Sequence, residues 1–165
     1  MNINNITSFI VIAIVCVFSS CSAPYSVTTN PRLISDWTVT SIQLDGDVVG
    51  QDIQTPVFDD ATIGCLTSSR WSLSDGGGGS YLIKGDSASC TVGLRRISWE
   101  VVNLSKTAHY FQFFRAVAPK GVLADRFTTY IMEIVSLNKS DMVLRYPVKY
   151  HDKTGSIVFT FTKGK

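Results

Sequence analysis

The chain has only two histidines, His109 and His151, and only four cysteines among 165 residues. Charge is sparse, at 17% Asp, Glu, Lys and Arg with a net of +2, and the first twenty residues carry none of it. Each shortage excludes something. Neither histidine has a Ser, Cys or carboxylate arrangement of the triad type, so no triad is read from the sequence. No histidine lies near Cys65 or Cys90 in sequence, so zinc-type spacings are missing, and no metal or other cofactor is expected. A slight, scattered positive balance gives no basis for nucleic-acid binding. The glycine run at 76–79 lacks the Gly-Lys-Ser/Thr ending and the following helix of a phosphate cradle, and reads as a mobile hairpin tip.

What is present begins with an apolar run at 9–18. Ten residues are too few to cross the roughly 30 Å hydrocarbon core as a helix, but they match the apolar region of a secretory signal. Small residues, Ser19-Ser20, and then Cys21 follow. Phe18-Ser19-Ser20-Cys21 resembles a bacterial lipobox, with Phe18 where an aliphatic residue is commoner. The expectation is a signal at 1–20, an acylated Cys21 opening a polar tether at 21–32, and one domain at 33–165. Ordinary cleaved secretion and a retained anchor are the alternatives. About 145 mature residues suffice for a single sizeable core. With Cys16 leaving in the signal and Cys21 lipidated, Cys65 and Cys90 remain, and in an oxidising compartment they are most simply a disulfide. A reduced pair is the alternative.

From Leu33 onward the chain reads as strands. Residues 37–44 are rich in β-branched side chains and stop at the turn signal Asp45-Gly46. Residues 47–53 are ambiguous, and the short apolar piece Val57-Phe58 precedes Asp59-Asp60. Strands are predicted at 65–73 and 81–84, as a hairpin, and then at 94–102, 110–117, 126–137, 142–150 and 156–162. Alternation places Ile97, Trp99 and Val101 on one face, as it does Phe111, Phe113 and Arg115, and Ile157, Phe159 and Phe161. Eight or nine short-connected strands without a long helix imply an all-β antiparallel meander, closed as a barrel or folded as a sandwich. Closure removes exposed edges.

Leu33-Ile34-Ser35-Asp36-Trp37 opens the domain, and Cys65 leads to Ser69-Arg70-Trp71-Ser72-Leu73. Cys90 leads to Arg95-Arg96-Ile97-Ser98-Trp99, followed by Phe111-Gln112-Phe113-Phe114-Arg115 and a Phe-Thr-Phe-Thr-Lys ending. In that order, over residues 33–163, the chain resembles the lipocalin-like lipoproteins of Bacteroides and related bacteria. The resemblance implies an up-and-down β-barrel of about eight strands with an internal cavity, and no enzymatic activity. It also implies outer-membrane anchoring, since Ser22 rather than Asp follows Cys21. The absence of acidic residues at 22–26 favours the periplasmic side.

On this reading Trp71, Trp99, Phe111 and Phe113 are the candidate lining for a small hydrophobic or amphipathic ligand. Alternatively they simply fill a small barrel. Arg115 and Glu133 either contact a ligand head group or face solvent and pair locally, because an isolated buried charge is very costly. Asp59-Asp60 is either a paired-carboxylate site or part of a polar loop. Three functions follow: a membrane-tethered ligand-binding barrel, an envelope module with a filled barrel that docks a protein or glycan through its rim loops, or an enzyme with its active site in the barrel, which a lumenal His or acid pair within hydrogen-bond reach would mark. An open lumen of a few hundred Å³ fits the first, and a filled one the second.

Overall fold

A computed structural model describes residues 30–85, 90–103, 108–116 and 127–164. The expected signal, Cys21 and most of the tether therefore lie outside the described residues. Eight antiparallel strands close into an up-and-down barrel in which each strand pairs with its sequence neighbour and the last returns to the first. The strands are β1 (Ser35–Gly46), β2 (Arg70–Leu73), β3 (Gly78–Ile83), β4 (Gly93–Asn103), β5 (His109–Ala116), β6 (Phe127–Leu137), β7 (Asp141–Tyr150) and β8 (Lys153–Lys163). Closure runs along most of β1, from Trp37 opposite Lys163 to Gly46 opposite Gly155. The sandwich alternative is thereby set aside.

Period-two alternation explains the interior. Ile97, Trp99 and Val101 of β4, Phe111 and Phe113 of β5, and Ile157, Phe159 and Phe161 of β8 all point inward and are buried. Inward positions on an eight-stranded barrel leave a lumen just wide enough for side chains or one small ligand.

The two ends differ. At one end, β1 begins and β8 finishes. Residues 30–32 lie there beside Val101, His109 and Leu137, and the fully buried Leu33 accepts a hydrogen bond at its carbonyl from Trp37 Nε1 (2.8 Å). The glycine run also belongs to this closed end. Instead of a mobile tip it forms a tight turn at Asp75–Gly77 and the start of β3. Gly77 adopts φ 79°, and a Cβ there would sit 2.7 Å from the Trp99 carbonyl oxygen; a Cβ on Gly79 would sit 2.8 Å from that of Ser72. Close packing thus requires glycine at 77 and 79, and Trp99 Nε1 donates to the Gly78 carbonyl at 2.9 Å.

At the opposite, open end the long β1–β2 connection carries a single α-helical turn, α1 (Ile63–Leu66), the one α-helix among the described residues. This corrects the expected strand at 65–73: the strand starts at Arg70, and Cys65 lies on α1. Cys65 Sγ and Cys90 Sγ are bonded at 2.06 Å, so the connection is stapled to the β3–β4 loop. Replacing both cysteines by serine is expected to lower stability by about 2–4 kcal/mol on the chain-entropy account. The measurement is the urea midpoint, with reductant shifting the wild type and leaving the double variant unmoved.

Candidate functional site

The lumen at the open end is occupied by the chain itself. Residues 57–61 of the β1–β2 connection fold inward as a tight turn, with Val57 N–H donating to the Ala61 carbonyl at 2.8 Å. Phe58 is buried on the barrel axis. Its ring centroid lies 6.2 Å from that of Trp71, 5.1 Å from Phe113, 5.4 Å from Tyr130, 5.1 Å from Tyr146 and 5.6 Å from Phe159. Those partners come from β2, β5, β6, β7 and β8, so one side chain touches five walls. The first four are edge-to-face and the pair with Phe159 is stacked; such pairs add roughly 0.5–1.5 kcal/mol each beyond their area burial.

The two acids that follow are gripped from the walls. Tyr81 on β3 stands opposite Arg95 on β4, and Ile97 stands opposite Arg115 on β5. Phe113 stands opposite Tyr130 on β6. Four consecutive strands thus turn two guanidiniums and two phenols toward one place. The Tyr81 hydroxyl donates to Asp60 Oδ2 at 2.7 Å, and Arg95 Nε donates to the same oxygen at 3.0 Å. Arg115 Nη1 lies 3.5 Å from Asp60 Oδ1. Arg115 Nη2 donates to the main-chain carbonyls of Phe58 (2.9 Å) and Asp59 (2.8 Å). The Tyr130 hydroxyl reaches Asp59 Oδ2 at 3.1 Å. Side chains of Arg95, Arg115 and Asp60 are only 12%, 11% and 9% exposed, so their charges meet largely out of water. Arg115 Nε is buried without a hydrogen-bond partner among the described residues.

The turn bends by strained backbone. Phe58 and Asp59 have φ of 57° and 49°, in the left-handed region that non-glycine residues rarely occupy. Each such residue costs on the order of 1–3 kcal/mol and persists only where its surroundings hold it. Here those surroundings are the aromatic cage and the Arg–Tyr cradle.

Burial pushes the Tyr81 hydroxyl far above its ordinary value of 10, and the hydrogen bond to Asp60 and its charge add to the rise. Burial also raises Tyr130, with Arg115 opposing and Asp59 reinforcing, and raises Tyr146, where the charge of Asp59 adds. The Tyr81 phenol therefore stays a protonated donor in the folded state while the unfolded chain releases its proton above pH 10, and the raised Tyr130 and Tyr146 act in the same direction. Stability is therefore intact below pH 10 and falls as pH climbs past it. Tyr81 alone accounts for about 1.4 kcal/mol per pH unit. Unfolding free energies at pH 9–12 check this, and Tyr81→Phe should flatten the slope.

Of the residues singled out from sequence, Trp71, Trp99, Phe111 and Phe113 all face the lumen, but as packed core. Trp71 stacks on Tyr81 at 4.6 Å and Trp99 on Phe111 at 5.9 Å. Phe58 fills the space that Trp71 and Phe113 would otherwise line. Arg115 faces inward and binds the chain's own acids and carbonyls. Glu133 does not join it: it lies on the outer face of β6, half exposed, accepting from Arg145 Nη1 at 3.2 Å. Strand alternation puts Tyr130 and Met132 inside and therefore Glu133 outside. Phe58, Arg95 and Tyr81 were not among the residues singled out, and Asp60 stood there only as half of the Asp59-Asp60 pair. The available signal was the inward phase of Arg95 and Arg115, which demands a buried acidic partner.

Beside the turn lies an open cleft of about 250 Å³, bordered by Thr55, Asp59, Tyr146, Pro147, Lys149 and Tyr150. Among the described residues no cluster of three or more His, Cys, Asp or Glu side chains is placed to hold a metal ion. The chain matches no known family model, no curated protein and no solved structure.

Proposed function

We propose that the protein is a non-enzymatic, lipid-anchored envelope module of the lipocalin-like kind, docking a protein or glycan partner through the rim of its open end. The observation that carries this is the position of Phe58. A lumen filled by the chain's own side chain is a poor container for a small hydrophobic molecule, and recognition then falls to the rim. The cleft beside the turn supports the reading, because tyrosines such as Tyr146 and Tyr150 offer an apolar body with a polar tip. The position of the termini also fits. β1 starts at the closed end, so the tether from an acylated Cys21 would join the barrel on the side opposite the rim. Anchoring in the outer membrane on the periplasmic side rests on Ser22 and the acid-free stretch after it.

A second reading keeps the small amphipathic ligand inside the barrel. The strained backbone at Phe58 and Asp59 favours it, since a segment held under strain is one that a ligand can displace.

Mass spectrometry of the protein purified from its own membranes tests both. The docking reading expects a mass equal to the chain from Cys21 plus its acyl groups, with nothing else bound. A stoichiometric apolar molecule released on unfolding would establish the second reading instead. An unacylated Cys21 would refute the anchor.

A further inference from the structure

Resting on the docking reading, we infer that the open end is a receptor for a peptide carrying an aromatic residue followed by acidic residues, with residues 57–61 as its resident occupant. The seat is defined by what fills it. A ring enters the cage of Phe113, Tyr130, Tyr146 and Phe159. A carboxylate two residues on meets Arg95, Arg115 and Tyr81. Between them Arg115 Nη2 takes two successive main-chain carbonyls, those of Phe58 and Asp59. The carbonyl contacts distinguish a peptide from a lipid carboxylate, which brings one head group and no second acceptor. Without an occupant the cradle would hold two inward guanidiniums and no anion, a state that burial makes unfavourable. An acidic segment is therefore required there, and residues 57–61 supply it.

Exchange is built into the way the occupant is held. Residues 57–61 are tethered on both sides, by the strand before and by the Cys65–Cys90 staple after, and must double back to reach the seat. The bend forces Phe58 and Asp59 into the left-handed region. An incoming segment with free ends would reach the cage and the arginines without having to double back. The cleft bordered by Thr55, Tyr146, Pro147 and Tyr150 adjoins the seat and gives such a segment a path along the rim.

The test uses the full chain carrying Phe58→Ala and Asp60→Ala, titrated with the synthetic hexapeptide Pro-Val-Phe-Asp-Asp-Ala by fluorescence polarisation. The vacated variant is expected to bind saturably and at least about 10-fold more tightly than wild type, whose own segment competes. Asn in place of both peptide acids, or Arg115→Met in the protein, should weaken binding by about 30-fold or more. If the double variant fails to fold by circular dichroism, Phe58→Ala alone takes its place, with the same order of affinities expected. A folded variant that does not bind the peptide overturns the inference, as does tighter binding of dodecanoate than of the peptide. Such failure leaves the docking reading intact as long as the native barrel carries no lipid. A lipid in the native lumen removes both.

Discussion

Asp60→Ala is expected to lower the unfolding free energy by about 3–5 kcal/mol. The carboxylate is the common partner of Arg95, Arg115 and the Tyr81 hydroxyl, and both arginines are nearly buried. Its removal leaves two uncompensated guanidiniums and an unpaired phenol in the mouth of the barrel. The loss is measured by urea denaturation at neutral pH. Glu133→Ala is the internal control. It also breaks an Arg–carboxylate pair, but one whose members are 39% and 44% exposed, and such pairs are worth about 0–1 kcal/mol. A double-mutant cycle sharpens the result. In the Asp60→Ala background, Arg115→Met should cost clearly less than it does in wild type, by a coupling energy of about 0.5–3 kcal/mol.

The second large effect is expected at Phe58. Truncation to alanine removes the ring that joins five strand walls and should cost about 3–5 kcal/mol, the range for large-to-small changes at a buried aromatic. Relief of backbone strain will not offset this, because alanine still carries a Cβ at φ 57°. The vacated space is walled by Trp71, Phe113, Tyr130, Tyr146 and Phe159, so it should accept an apolar guest. Benzene or xenon is therefore expected to raise the midpoint of Phe58→Ala and to leave wild type unchanged. An equal response in both proteins would mean that the wild-type lumen is already open.

Strand alternation made the barrel legible. The triplets Ile97/Trp99/Val101, Phe111/Phe113/Arg115 and Ile157/Phe159/Phe161 each put one face inward, and each does face the lumen. The content of the lumen was not legible in the same way. Residues 47–61 have no period, because they form no element that repeats against a neighbour. Their inward turn is decided by contacts to strands far along the chain, such as Asp60 to Arg95 and Arg115. Asp59-Asp60 consequently resembles any polar loop until the register places Tyr81, Arg95, Arg115 and Tyr130 together. Glu133 is the opposite case. Its outward position follows from alternation with Tyr130 and Met132, and its charge drew attention that its phase did not support. Cys65 was expected on a strand, and α1 holds it instead, although its bond to Cys90 is as expected.

The filled lumen bears on the proposed anchoring. A tether from Cys21 would join the barrel at the closed end, opposite the rim where the chain's own Phe58-Asp59-Asp60 sits. On the proposed reading, recognition would be competition for that seat and not storage within the barrel.

Nuclear Overhauser contacts from the Phe58 ring in the purified protein test the central claim most directly. The account predicts cross-peaks from that one ring to Trp71, Phe113 and Phe159, on separate walls of the barrel. A Phe58 ring with random-coil shifts and no contact to these walls would contradict it, leaving an open lumen in place of a filled one.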